Sequence, residues 1–163
     1  MTAQRRDLSG SGRGIALILV AVILGMGLAR AGTSERVVTD RYTGLAIAGF
    51  DPVAYFTDAD AVVGLRNFEL TDQGTVWRFR NEGNRAQFIA HPEIYGPQFG
   101  GYDPVDMARG VAVAGNPRLW VVTGRRLYLF GREDSRDGFA AAPAKYLSEA
   151  RRRWPAVQDT LAR

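Results

Sequence analysis

The sequence contains no cysteine and only one histidine, His91, among its 163 residues. Without cysteine the chain can form no disulfide, no thiolate nucleophile and no zinc finger. A single histidine disfavours an acid–base triad, and the sequence has neither a glycine-rich phosphate loop nor a nucleophile elbow. Enzymes with a cysteine nucleophile are therefore excluded, and enzymes with an acid–base triad or a phosphate loop are disfavoured.

Aromatic residues are absent from the first 41 positions, whereas 8 Phe, 6 Tyr and 3 Trp follow. The segment begins with Arg5, Arg6 and Arg13 and continues as an uninterrupted apolar run over 15–29, "IALILVAVILGMGLA". As a helix this run extends about 22 Å, which is shorter than the ~30 Å hydrocarbon core of a bilayer. It is followed by Arg30-Ala31, which completes a small-x-small site that signal peptidase accepts.

Residues 1–31 therefore predict either a cleaved signal peptide or a retained N-terminal hydrophobic helix that anchors the protein in the membrane. In both cases the positive flank stays inside and the rest of the chain is exported. We expect a periplasmic protein, or one anchored in the inner membrane and facing the periplasm. Residues 32–41 are predicted to be a polar linker, and 42–163 a single domain.

The positive charge of the chain resides mainly in this leader. The whole chain has 21 basic and 17 acidic residues, but the first 31 residues hold four arginines and one aspartate. The remainder carries 17 basic and 16 acidic groups. The composition therefore gives no support for nucleic-acid binding.

Hairpins and helices alternate irregularly in the predicted domain. Apolar residues flank turn residues at 66–79, around Asp72-Gln73-Gly74, and at 119–130, around Thr123-Gly124-Arg125. A short strand is predicted at 42–50. Helices are predicted from Asn81 to about Ala90, over 135–140, and from Pro143 to Trp154, with His91-Pro92 closing the first and Pro155 the last. This order predicts an α+β fold with a small antiparallel sheet of hairpins and short flanking helices.

Two nearly identical pentapeptides, "GFDPV" at 49–53 and "GYDPV" at 101–105, each contain an Asp-Pro pair. Asp51 and Asp103 are typical of helix N-termini, where a carboxylate accepts free N–H groups and proline lacks the N–H that would be unpaired. The alternative is that both carboxylates face a shared cleft. Two five-residue matches are too short to predict a duplicated domain.

The sequence resembles the YHS domain-containing proteins, which are small exported bacterial proteins. The resemblance runs from about Tyr42 to Trp154 and rests on "GFDPVAYF", "WRF", "NEGNRAQFIAHPEIYGPQFGGY", "LW" and "LYL", in that order. Its most specific pattern consists of Phe88, Pro92, Tyr95, Pro97, Gly100, Gly101 and Tyr102. The resemblance implies a YHS-like fold related to modules thought to bind metal.

The chain departs from this family directly after Gly101-Tyr102. Many members have cysteine or selenocysteine there, whereas this chain has Asp103. An aspartate keeps an anion at a helix N-terminus, but it performs no thiol redox chemistry and does not favour soft metals. The departure leaves the family's chemistry open here.

His91 and Asp103 are the candidate ligands of a divalent metal ion. His91 before proline is also typical of a helix C-cap, and a metal site usually needs three or four ligands.

The candidate small-ligand residues are Asp51, Tyr95, Tyr102 and Trp120. The alternative for the three aromatic residues, together with Phe99, is core packing below a tight Gly100-Gly101 turn. Arg151–Arg153 could contact anionic lipid or form a solvated helix end.

Three hypotheses follow. The first is a non-enzymatic YHS-like module of the cell envelope that binds a metal ion or small ligand, or that assists metal handling. The second is a structural or protein-interaction domain, tethered to the membrane if the leader is retained and in contact with another envelope protein. The third is an enzyme, which would require Asp51, His91 and Asp103 to converge in one cleft.

Overall fold

The structure, a computed structural model, describes residues 36–161; the predicted leader over 1–31 lies outside them. The fold is α+β, with two antiparallel hairpins and several helices. The strands are β1 (Leu65–Asp72), β2 (Thr75–Phe79), β3 (Asn116–Thr123) and β4 (Arg126–Phe130). The helices are α1 (Ala54–Thr57), α2 (Glu82–Ala90), α3 (Pro92–Tyr95), α4 (Pro104–Met107), α5 (Glu133–Ala141) and α6 (Pro143–Leu161). Short 3-10 turns occupy Ile47–Gly49 and Gln98–Gly101.

Both predicted hairpins are confirmed, with their turns where the sequence places them. β1 pairs with β2 and β3 with β4, each as a separate two-stranded sheet. The turns place Gln73 and Arg125 at positive φ beside a glycine, as tight hairpin connections require. The prediction differs from the structure in that the strands form two small sheets and not one.

Helix α2 also follows its prediction. The Asn81 side chain caps it by accepting a hydrogen bond from the Asn84 N–H at 2.8 Å. Phe88 is buried on its inner face, and His91 is the C-cap residue before Pro92. Local capping chemistry therefore sets both ends of this helix.

The same succession of elements occurs twice. The first repeat (45–90) and the second repeat (97–141) each contain a 3-10 turn, a buried aspartate, a four-residue helix, a hairpin and a nine-residue helix. The two hairpins share the same irregularity in register, between Leu65 and Glu69 in β1 and between Asn116 and Trp120 in β3. The paired pentapeptides are therefore the visible part of a repeated structural unit.

One glycine in each repeat lets two backbone segments approach closely. Gly64 donates to the Gly49 carbonyl, and Gly115 donates to the Gly101 carbonyl, both at 2.9 Å. A Cβ on Gly64 would lie 2.5 Å from the Arg78 carbonyl carbon, and one on Gly115 only 2.6 Å from the Gly101 oxygen. Only glycine fits at these two equivalent positions.

Strand β4 separates two hydrophobic cores. Leu127 and Leu129 project into the first core, while Tyr128 and Phe130 project into the second, as the two-residue period of a strand requires. The first core also contains Ala46, Ile47, Phe50, Val53, Tyr55, Trp77, Phe79 and Phe88. The second also contains Phe99, Val105, Met107, Phe139 and Ala150. Because β4 contributes to both, the two repeats share their packing.

Two predictions about local structure are wrong. The segment 42–50 is not a regular strand, because only isolated bridges form at Leu45 and Ala46 before the chain turns with Ile47 at φ 42° and Ala48 at φ 54°. Helix α6 does not end before Pro155 but continues to Leu161. Val157 packs against the second core, which stabilises the helix beyond the proline.

Candidate functional site

Asp51 is completely buried, and both of its carboxylate oxygens are engaged. Oδ1 accepts a hydrogen bond from the Val53 N–H at 2.8 Å. Oδ2 accepts one from the Arg80 N–H at 2.8 Å and one from the Asn84 side-chain amide at 2.7 Å. The carboxylate thus ties the start of α1 to the end of β2.

Asp103 has the equivalent environment in the second repeat. It too is completely buried, with Oδ1 accepting from the Val105 N–H at 2.8 Å and Oδ2 from the Gly131 N–H at 2.9 Å. Both aspartates therefore accept hydrogen bonds from backbone N–H groups at a helix start and after a strand. This agrees with the interpretation of each Asp-Pro pair as a helix N-terminus.

The two candidate metal ligands have different surroundings. His91 is exposed at the junction of α2 and α3, with Nδ1 3.5 Å from Glu93 Oε1, whereas Asp103 is buried below α4. Within residues 36–161, no group of three or more histidine, aspartate and glutamate side chains is arranged to hold a metal ion. A site using His91 and Asp103 would need to displace the N–H donors that Asp103 already accepts.

The candidate ligand-binding aromatics lie against different cores. Tyr95 stacks edge-on against Phe56, and Trp120 against Tyr55, both at the first core. Tyr102 instead lies at the second core, where its ring centroid is 6.1 Å from that of Trp154. Each of the three rings packs against another aromatic ring, which is the arrangement expected if these residues belong to the core.

The Tyr55 hydroxyl is a polar contact between the repeats. It donates to the Pro117 carbonyl at 2.8 Å, although the ring itself is buried in the first core. Burial raises the pKa of the Tyr55 hydroxyl well above its ordinary value, and the nearby Asp51 carboxylate raises it further. The phenol therefore stays protonated and acts as a donor.

The structure adds a buried carboxylate that the sequence did not single out. Asp106 is 5% exposed. The Arg132 guanidinium donates a hydrogen bond to its Oδ1 at 3.3 Å. The same guanidinium lies 3.1 Å from Oδ2, which accepts no hydrogen bond from the described residues. Arg109 donates to the same Oδ1 at 3.2 Å. The equivalent position of the first repeat is Ala54. The difference between "DPVA" at 51–54 and "DPVD" at 103–106 was therefore the signal in the sequence that could have identified Asp106.

A cleft of about 430 Å³ lies between α6 and the second 3-10 turn. Its charged lining residues are Arg36 and Arg151, and Trp154 forms part of its apolar wall. The others are Val37, Gln73, Pro97, Gln98, Phe99, Gly100 and Gln158. The only signal in the sequence was the spacing of Arg151, Trp154 and Gln158 on one helix face.

A smaller cleft of about 330 Å³ lies beside the equivalent turn of the first repeat. Its lining includes Asp40, Arg41, Tyr42, Ile47 and Ala48. Neither cleft is lined by Asp51, Tyr95, Tyr102 or Trp120.

Comparison with known proteins places the chain in no group: no family model, no curated protein and no solved structure matches it. The similarity to YHS domain-containing proteins therefore stays a prediction. In the described part of the chain, no helix is both long enough and apolar enough to cross a membrane.

Proposed function

We propose that this chain is an exported, non-enzymatic YHS-like module of the cell envelope that binds a small ligand. The observation that carries the non-enzymatic part of the proposal is the matched environment of Asp51 and Asp103, and the cleft beside Trp154 carries the ligand-binding part. Both carboxylates are buried and hydrogen-bonded in the same structural role, so neither has an oxygen directed at a substrate. Two of the three groups that the enzyme hypothesis required, Asp51 and Asp103, are therefore committed to the scaffold.

A small ligand is better supported than a metal ion. The Asp103 oxygens accept hydrogen bonds from Val105 and Gly131, and the exposed His91 has Glu93 as its acidic neighbour. Hard and borderline ions usually need three or more ligands. The 430 Å³ cleft, in contrast, falls within the range of about 300–1,000 Å³ that is usual for small-molecule sites.

The cellular location in this proposal comes from the basic and apolar pattern of residues 1–31. If the segment is cleaved, the module is periplasmic. If it is retained, the module is held at the inner membrane and faces the periplasm.

The second candidate is a protein-interaction domain that has lost the family's metal or thiol site. Large apolar side chains that remain more than half exposed favour it, namely Val63, Leu65, Ile89 and Val111, besides the exposed ring of Tyr42. Such side chains are common singly on monomers, so this observation is weaker than the 430 Å³ cleft that favours a small ligand.

The test is to purify the untagged full-length chain from the envelope and to measure everything that is bound to it. Metals are quantified by elemental analysis, small molecules by mass spectrometry of the denatured extract, and proteins by crosslinking before lysis. A small molecule near one equivalent supports the proposal. A metal near one equivalent that is lost in His91→Ala would replace it with the metal hypothesis. A stoichiometric protein partner without any bound small molecule would replace it with the interaction domain.

A further inference from the structure

The larger cleft has an imbalance of charge. Arg36 and Arg151 line it, and none of the aspartates and glutamates among the described residues does so. Within residues 36–161, neither guanidinium forms a hydrogen bond or an ion pair. Two cations without a protein counter-charge beside one concave surface attract an anion.

Arg151 differs from the two arginines that follow it. Glu149 accepts a hydrogen bond from Arg152 and lies 3.5 Å from the Arg153 guanidinium. The helix continues to Leu161, so this arginine run lies in the middle of α6 and not at a solvated helix end, as one interpretation of the sequence had it. Of the three, Arg151 is the one directed to the cleft without an acidic partner in the described chain.

The rest of the lining suits the remainder of an organic molecule. Trp154 presents an aromatic wall, and its ring packs edge-on against Phe99 with centroids 6.1 Å apart. Gln73, Gln98 and Gln158 each carry a side-chain amide that can donate and accept hydrogen bonds. An apolar wall with a few polar groups is the usual composition of a ligand pocket.

The smaller cleft provides an internal comparison, because it lies beside the equivalent turn of the first repeat. Among the described residues it has one cation and one anion, Arg41 and Asp40. Arg41 donates to the Tyr42 hydroxyl, and Asp40 accepts from the Thr43 N–H at 2.8 Å. The repeated fold creates a hollow beside each 3-10 turn, and in the part of the chain that the structure describes only the second hollow has arginines without a hydrogen bond or ion pair.

We propose that the larger cleft binds a small organic anion. Arg36 and Arg151 hold its carboxylate or phosphate group, and an apolar or aromatic portion lies against Trp154. Guanidinium groups favour both anions because their planar N–H donors match two oxygens at once. This inference rests on the proposed function, for which it names the site and the class of ligand.

The test uses the full-length protein and two pairs of probes, benzoate with benzamide and phenyl phosphate with phenol. Each pair retains the ring and removes the charge. The three tryptophans give three indole N–H signals in NMR spectra, and Trp154→Phe assigns the one at the cleft. We expect one or both anions to shift the Trp154 signal with a Kd below about 1 mM, and the neutral partners to bind about tenfold more weakly.

Arg151→Gln is the test variant and Arg152→Gln its matched control on the adjacent position. We expect Arg151→Gln to weaken the anion about tenfold or more, and Arg152→Gln to change the Kd less than about twofold. Unchanged Trp77 and Trp120 signals verify that each variant is folded. The proposal is overturned if neither anion shifts the Trp154 signal, if the neutral probes bind equally, or if both variants weaken binding alike. A native ligand that still copurifies with Arg151→Gln would overturn this site alone and leave the proposed function standing.

Discussion

Asp51 and Asp103 have the same structural role in the two repeats, 52 positions apart in the chain. The Arg80 N–H lies 2.8 Å from Asp51 Oδ2, and the Gly131 N–H lies 2.9 Å from Asp103 Oδ2. In each repeat the carboxylate joins the helix start to the residue after the second hairpin strand. A charged group with this many buried donors stabilises the fold and is not free to react.

Asp51→Asn and Asp103→Asn should each destabilise the protein strongly. An amide has one acceptor oxygen, so in either orientation its NH₂ group faces a backbone N–H that the carboxylate had satisfied. We expect each variant to lose about 2–3 kcal/mol of the free energy of unfolding, measured by urea denaturation. Asp137→Asn is the control, because that carboxylate is exposed and pairs with its sequence neighbour Arg136; its midpoint should match the parent. A stable Asp103→Asn protein that has lost a bound ion would instead favour the metal hypothesis.

Gly64→Ala and Gly115→Ala should be equally damaging, because the two glycines are equivalent. The new methyl group would overlap the backbone of the facing strand in both repeats. We expect each to cost about 3 kcal/mol or more in the same urea experiment. Gly124→Ala is the control: its φ is +57°, but nothing lies within 4 Å of its Cβ position, so only the backbone conformation is penalised, by about 1 kcal/mol. Equal losses for Gly115→Ala and Gly124→Ala would contradict the close approach.

Arg132 should be energetically coupled to Asp106. The carboxylate is buried, and Arg132 is the cation within 3.3 Å of both of its oxygens. We expect Arg132→Gln to cost about 1–2 kcal/mol in the parent, since it leaves a buried charge with less compensation. The same change in an Asp106→Ala background, which copies Ala54 of the first repeat, should cost clearly less, since only the hydrogen bond from Arg132 to Ser135 Oγ at 3.2 Å is then lost. A double-mutant cycle from urea midpoints measures the coupling, and additive effects would show that the ion pair contributes nothing.

The hairpins and α2 were predictable because local chemistry determines them. Alternating apolar residues around Gly74 and Gly124 specify a hairpin, and the Asn81 side chain specifies a helix start. The turn at Ile47–Gly49 was not predictable, since isoleucine rarely adopts positive φ and only the surrounding packing holds it there. Pro155 was misinterpreted for a similar reason: the contact of Val157 with the second core overrides the local signal.

The candidate site was harder to predict than the fold. Asp51 and Asp103 were recognised as helix caps, but their second partners, Arg80 and Gly131, are 29 and 28 positions away. The larger cleft joins Arg36 to Arg151, which no local pattern connects. The repeat itself was hidden because the two units share a backbone path but few side chains outside the Asp-Pro pentapeptide.

Tyr55→Phe should lower the free energy of unfolding at neutral pH. It should also remove the part of the alkaline loss of stability that ionisation of Tyr55 causes in the parent protein. At pH 7 the variant leaves the half-buried Pro117 carbonyl without its donor, which should cost about 1 kcal/mol. Burial raises the pKa of the Tyr55 hydroxyl in the folded protein, so above about pH 10 the unfolded chain releases this proton while the folded chain retains it. The contribution of Tyr55 is therefore fully present below that pH and is lost as the pH rises, by up to about 1.4 kcal/mol per pH unit.

The measurement is the free energy of urea unfolding of the parent and Tyr55→Phe at a series of pH values from neutral to alkaline. The two curves should lie apart at pH 7 and converge above about pH 10, because only the parent has this proton to lose. Other alkaline groups are common to both proteins and cancel in the difference. Parallel curves would mean that the Tyr55 hydroxyl ionises as readily in the folded chain as in the unfolded one, and would contradict its role as a buried donor between the repeats.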